Sequence, residues 1–317
     1  MRKTVSFGLI ILLLSLCGCD RNTEISETRF VLDTVATLTA SCDRDTLNGA
    51  FSLCSDYEKL LSRTAAGSDI YNLNQASGFI EVSEETVKII ERSIYYSDIS
   101  DGKFDITVCP VSMLWDFKNQ VVPSRDEIAE ALKNVDYHSI EISGNLVNLN
   151  GKKIDLGGIA KGYIADRIKD YLIENGAKKG IINLGGNVAV FGDDYYRVGI
   201  KKPFSDEFVA VLNIKNKSAV TSGIYERCFE KDGQFYHHII DTATGYGVDN
   251  ELASVTVIGD VSADCDALST VCMLSGTEKG LDIINNTPDT EAVFISRDGE
   301  ITLTDGLYIK NDNIYIK

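Results

Sequence analysis

Between Ala263 and Leu274 the chain spaces Ala267, Leu268, Val271, Met273 and Leu274 so that a helix would bury one apolar face. The same stretch carries Asp266 and Thr270, four residues apart, which places both side chains on one side of that helix. Few segments constrain the fold more, because this helix must sit against a core and still present two oxygen donors. A carboxylate and a hydroxyl in this arrangement can reach one hard cation. On these residues alone an acidic first turn favoured by the helix dipole is the commoner explanation.

The surroundings specify a large folded unit. The chain has 317 residues, 44% hydrophobic, enough for a sizeable core. Its net charge of −16 argues against nucleic acid as a partner, since no cluster of Lys and Arg is present to displace phosphate counterions. At the amino end Arg2 and Lys3 precede an apolar run from Val5 to Leu16, the layout of a secretory signal. An exported body is therefore expected, and with the cleavage site implied by the resemblance of Leu16-Cys17-Gly18-Cys19 to a bacterial lipobox, residues 1–18 are expected to be a signal peptide and residues 19–28 a polar tether. Six cysteines beyond Cys19 are scattered, with neither Cys-x-x-Cys nor zinc-type spacing, and no disulfide is expected.

From residue 29 to 317 strand patterns and helix patterns are interspersed without a regular βαβ repeat and without a Pro/Gly/Ser-rich linker. The expected fold is α+β, a single domain of mixed and antiparallel sheets with packed helices and room for two lobes. Phe30–Ala40 reads as the first strand and Thr46–Leu61 as a helix. Ser62–Gln75 reads as irregular, Glu84–Ile99 as a second helix, and Phe104–Phe117 as an ordered loop. Ser124 opens a short helix with a capping box. A helix follows from Ile159, then strands at 179–184, 187–191, 196–201, 208–215, 234–240 and 253–259. After the Ala263 helix come a helix at 277–285 and strands near 291–296, 300–303 and 306–310.

Three further stretches could carry chemistry. Asp155-Leu156-Gly157-Gly158-Ile159-Ala160-Lys161-Gly162 places two glycines at a strand end before a helix, where backbone N–H groups can converge on a phosphate and Lys161 adds a cation. Tight packing explains such a turn as often, and the spacing matches neither a P-loop nor a dinucleotide fingerprint. Asn183-Leu184-Gly185-Gly186-Asn187 is a second close-approach site, equally readable as a bulge. His237 and His238 are two of only three histidines, set before Asp241 and Gly245. On a strand they face opposite ways, so one at most enters a given site. Upstream, Thr221-Ser222-Gly223 groups small hydroxyls ahead of Glu226-Arg227.

In their order along the chain these stretches resemble the ApbE-type family of FAD:protein FMN transferases. The resemblance runs from Leu61-Ser62 and Ser68-Asp69 through Phe104-Asp105-Ile106-Thr107, Asp155–Gly162, Asn183–Gly186, Thr221–Arg227 and His237–Gly245 to Ala263–Thr270. Leu16-Cys17-Gly18-Cys19 likewise resembles a bacterial lipobox, implying cleavage before Cys19 and a lipid anchor on the outer face of the cytoplasmic membrane. The family resemblance implies Mg²⁺-dependent transfer of FMN from FAD, with release of AMP, to a Thr or Ser hydroxyl of an exported or membrane-bound redox protein. It assigns Asp266, Thr270 and the Ala160 carbonyl to the metal, and His238 to deprotonation of the acceptor. Gly157, Gly158 and Lys161 fall at the flavin phosphates, and Leu32, Thr64, Phe104, Asp105, His238 and Ile239 near the rest of FAD. The chain departs from the family where Thr64 replaces a stacking tyrosine, Asp33 a glycine, and Thr242 and Gly247 prolines. Two alternatives stay open: a Mg²⁺-dependent FAD pyrophosphatase giving FMN and AMP, and a lipoprotein that binds FAD without turnover.

Overall fold

In strand Thr34–Ser41, Ala36, Leu38 and Ala40 are fully buried while Val35, Thr37 and Thr39 keep solvent contact. That is the period-two alternation of a strand with one face on a core. A computed structural model describes residues 23–317, and this strand belongs to its largest sheet. The sheet comprises Glu24–Val31, Thr34–Ser41, Gly180–Leu184, Asn187–Phe191, Ser218–Gly223, Leu252–Gly259, Glu291–Ser296 and Ile301–Leu303. Each strand is antiparallel to its neighbours, and their order in space is their order in sequence. The frame is a meander whose connections have been expanded into the rest of the protein.

The first expansion, residues 42–179, contains helices Arg44–Leu61, Asp69–Gln75, Glu84–Ile99, Arg125–Leu132 and Ala160–Glu174. The second contributes the hairpin Tyr196–Lys201/Phe208–Ile214, which joins the C-terminal strands Leu307–Lys310 and Asn313–Ile316 in a four-stranded sheet. That sheet covers one face of the meander through Val188, Val190, Ala219, Ile258, Val293 and Ile295. The third holds the hairpin Cys228–Lys231/Gln234–His237, and the fourth helices Ser262–Ser275 and Thr277–Asn285. Val255, Val257, Ala292 and Phe294, alternating with the previous set, meet the Ser262–Ser275 helix on the opposite face. Central strands buried on both faces therefore read as continuous apolar runs, and all eight residues of Leu252–Gly259 are buried.

The α+β expectation holds, and Glu84–Ile99, Asn187–Phe191, Tyr196–Lys201, Thr277–Asn285 and Glu291–Ser296 have the expected limits. Phe30–Ala40 is instead two strands, broken at Leu32–Asp33, where both residues are left-handed (φ 56° and 54°). A two-residue turn of this hand matches the strand twist but usually announces itself with Gly or Asn, and neither is present. The expected tether also shortens. From Glu24 onward the chain is an edge strand paired with Thr34–Ser41, its polar residues suiting the solvent-facing side. The signal peptide, Cys19 and the start of the tether lie outside the described residues.

Ser62–Gln75 contains a helix from Asp69, capped by Ser68, whose side chain accepts from the Tyr71 N–H at 2.9 Å. Phe104–Phe117 folds as a 3₁₀ turn, Ile106–Val108, and a helical turn, Cys109–Ser112. The capping box at Ser124 and Glu127 is present. Cys42, Cys54, Cys109, Cys228, Cys265 and Cys272 are all free thiols.

Candidate active site

Helices Ala160–Glu174 and Ser262–Ser275 lie antiparallel, and Gly162 lets them touch. A Cβ at Gly162 would stand 2.3 Å from the Ser262 carbonyl oxygen, so a larger residue would force the pair apart. In that contact the Gly162 N–H donates to Asp266 Oδ2 at 2.8 Å. One turn on, Asp166 accepts the Ser262 and Ala263 N–H groups at 3.0 and 2.9 Å. No side chain of the Ser262 helix caps its own start, so Asp166 satisfies two of its orphan donors from outside. Ser262 Oγ donates to Asn187 Oδ1 at 2.8 Å, tying the helix to the sheet.

This packing carries Asp266 and Thr270 to the start of the Ala160 helix. A Cβ at Gly158 would lie 2.9 Å from the Phe104 ring and 3.8 Å from Thr270 Oγ1, so the Gly-Gly turn, Phe104 and Thr270 are neighbours. Ala160 opens the helix two residues before Gly162. Asp266 is buried, and burial raises its carboxyl above the usual range, opposed by the Lys161 ammonium and the Gly162 N–H. A carboxylate, a hydroxyl and a main-chain carbonyl are oxygen donors that fit a hard divalent cation, which would also relieve the unfavourable burial of Asp266. With a single carboxylate in the set, waters and anionic substrate oxygens would complete the coordination. Among the described residues no group of three or more His, Cys, Asp or Glu could hold a metal.

The Gly-Gly turn is more closed than expected. The Gly157 N–H bonds Asp155 Oδ1 at 3.0 Å, and the Ile159 and Ala160 N–H groups both bond the Leu156 carbonyl. Of the converging donors, these three are turned into the loop itself. The N-cap residue Ile159 offers no side-chain acceptor, and the carboxylate at this positive end is that of Asp266, held by the Gly162 N–H from the neighbouring helix. Arg63 pairs with Asp155 at 3.0 Å and anchors the loop that holds Thr64, whose side chain is exposed and bonds Ser62 Oγ.

The two histidines divide as strand alternation requires. His237 is buried, with Nε2 3.0 Å from the Val248 carbonyl and Nδ1 accepting from the Ile239 N–H at 3.4 Å, so its duty is structural. His238 turns the other way, its ring edge-on to Phe117, with a buried Nδ1 that has no hydrogen-bond partner. Burial lowers both imidazoles to about 4, and Arg227, His237 and Lys161 add to the effect at His238. Lys161 is thus close enough to act on both Asp266 and His238, which links three motifs of the sequence.

Other expected positions have different duties. The Asp105 carboxylate accepts from Thr107 N–H and Oγ1 at 2.7 and 2.6 Å and from the Tyr137 N–H at 3.1 Å. It lines an open cleft of about 450 Å³ with Asp98, Asp101, Asp136 and Tyr137, which includes none of Gly157, Gly158, Lys161, His238, Asp266 or Thr270. Ile239 is a core residue whose carbonyl accepts the Val248 N–H at 2.9 Å. Leu32 is half-buried in the turn at one end of the sheet. The Gly185-Gly186 turn is at the same end, since a Cβ at Gly185 would come 2.0 Å from Thr34 Oγ1. Reading the sequence passed over Asp166, and noticed Asn187, Ser222 and Ser269 only as members of longer stretches, without a duty of their own.

The sequence profile of the ApbE family matches residues 32–294. The chain is 36% identical over 274 residues to an FAD:protein FMN transferase of Klebsiella pneumoniae, covering 83% of this chain and 86% of that one. It is 31% identical over 288 residues to one of Treponema pallidum, covering 82% and 80%. The crystal structure of the ApbE protein from Thermotoga maritima superposes with a TM-score of 0.83 at 30% identity, covering 89% of this chain and 97% of that one. Fold, site and relatives together define a single-domain α+β transferase. The chain belongs to the ApbE family.

Proposed function

We propose that this protein transfers FMN from FAD to a Thr or Ser hydroxyl of a redox protein, releasing AMP, on the outer face of the cytoplasmic membrane to which Cys19 anchors it. The observation that carries the reading is the placement of Asp266 and Thr270 beside the start of the Ala160 helix, with the Lys161 ammonium near enough to act on both Asp266 and His238, a setting in which a metal-bound pyrophosphate can be held. Asp266, Thr270 and the Ala160 carbonyl would hold Mg²⁺, which neutralises charge on the pyrophosphate oxygens during displacement. The acceptor oxygen bonds to the FMN phosphorus, the bond from that phosphorus to the bridging oxygen breaks, and AMP leaves with that oxygen.

His238 is neutral at pH 7 and can take the proton from the acceptor hydroxyl. Its basicity is weak, because burial, Arg227 and Lys161 all disfavour the imidazolium. Anionic phosphates bound beside it act in the opposite sense. Lys161 contributes a cation to the same phosphates.

Incubation of the protein with FAD, Mg²⁺ and a candidate acceptor is expected to give flavin fluorescence that survives a denaturing gel, with AMP formed in equal amount. Asp266→Asn, which keeps the shape and removes the charge, should lower the rate by at least about a hundredfold. A folded protein that labels no acceptor across several redox proteins would overturn the reading. Thr64 favours a second reading, since it offers an exposed hydroxyl and no aromatic ring to stack on the flavin. In that case AMP and FMN accumulate without acceptor, and AMP exceeds covalent label.

A further inference from the structure

Ser222 lies at the end of strand Ser218–Gly223 and does not belong to the ligand set above, yet its hydroxyl reaches two residues of the Ser262 helix. Ser222 Oγ is 2.7 Å from Ser269 Oγ and 3.2 Å from Thr270 Oγ1. Ser269 Oγ, fully buried, is 2.8 Å from the Asp266 carbonyl oxygen. Each hydroxyl has one hydrogen to give, and a carbonyl can only accept. Counting hydrogens then fixes the direction of the chain. Ser269 donates to the Asp266 carbonyl, for otherwise two oxygens would face each other at 2.8 Å with no hydrogen between them. Ser222 must therefore donate to Ser269, and Thr270 to Ser222. The alternative acceptor for Thr270, the Asp266 carbonyl at 3.4 Å, also takes its hydrogen into the protein.

We propose that Ser222 and Ser269 are positioning residues that commit the Thr270 hydrogen to the protein, so that the lone pairs of Thr270 Oγ1 face the cation. A hydroxyl whose hydrogen points at a divalent ion is repelled by it. A hydroxyl whose hydrogen is held behind it is a ready ligand. The Ser222 hydroxyl of the Thr221-Ser222-Gly223 motif thereby gains a duty at the site without touching substrate. The proposal rests on the metal-dependent reading given above. Outer partners of this kind change metal affinity by about 10- to 100-fold.

The test is Mn²⁺ affinity, followed by electron paramagnetic resonance in titrations of the protein with ADP present as an unreactive pyrophosphate. Ser222→Ala and Ser269→Ala are each expected to weaken Mn²⁺ binding about tenfold. In a Thr270→Val background, where no hydroxyl remains to be oriented, Ser222→Ala should have no further effect. Both single variants binding Mn²⁺ like the parent would overturn the proposal. So would an equal loss from Ser222→Ala in the presence and absence of the Thr270 hydroxyl, since that would make its effect a general one on packing. A parent protein that binds no Mn²⁺ would overturn the metal-dependent reading itself and this proposal with it, a result distinguishable from failure of the variants alone.

Discussion

Asp33 has φ 54° in the turn between the first two strands, and Leu32 before it has φ 56°. Side chains are disfavoured there by about 1 kcal/mol or more, less for Asp than for a branched or bulky residue. A glycine at this position would meet the same demand without strain. Asp33→Gly is expected to raise stability by about 0.5 kcal/mol, the relief of strain exceeding the added freedom of the unfolded chain, as measured by urea denaturation. A loss of stability on this substitution would mean that the Asp33 side chain makes a contact worth more than the strain. Asp266 was visible in sequence for a different reason, since a carboxylate four residues before a hydroxyl is a pattern. Nothing in the pattern told that its partner would be the Gly162 N–H.

At the scale of elements, the two antiparallel helices set the geometry of the site through a few main-chain contacts. Asp166 is the least conspicuous of these, an acidic residue on a helix full of charged positions, and only the tertiary structure shows that its carboxylate caps another helix. Asp166→Ala leaves the buried Ser262 and Ala263 N–H groups without acceptors and should cost about 2 kcal/mol of stability. Chemical denaturation measures this, and a change below about 0.5 kcal/mol would show that water replaces the cap. Arg92 braces the same helix by a forked ion pair with Asp264. The elements themselves were largely legible, because helices such as Glu84–Ile99 carry their own periodicity and caps. Strand Ser218–Gly223 was not, because its small hydroxyl-bearing residues lack the bulk that marks a central strand.

For the whole molecule, burial of two histidines couples stability to pH. Both are lowered to about 4 in the folded protein, against 6.5 for an exposed imidazole. Between those values the unfolded chain binds more protons. The stability they contribute is complete above about pH 6.5 and is lost as the pH falls toward 4. Each histidine adds a slope of at most about 1.4 kcal/mol per pH unit. Asp105, Asp166 and Asp266, raised by burial, act in the opposite direction as they take up protons in the folded state. Comparing unfolding free energies of the parent and His237→Gln from pH 7 to 5 isolates the histidine. The variant should show the shallower fall on acidification, and parallel curves would rule out a buried neutral His237.

The sequence by itself determined the α+β character, the limits of the strongly periodic elements, and the short-range pairings of chemistry such as Asp266 with Thr270 and Gly157 with Gly158. Those features are written in spacing, which local geometry converts directly into faces and turns. Only the tertiary structure decided that eight strands follow one another across one antiparallel sheet, with the site assembled from three of its expanded connections and the end of one strand. Residues 104, 158, 222 and 266 come together with Thr270 through contacts made across long stretches of chain, and such contacts depend on how layers pack rather than on any local propensity. The same cause separates His237 from His238 and Asp105 from Asp266. Residue type made each a candidate, and packing determined which of their polar atoms were already bonded within the protein.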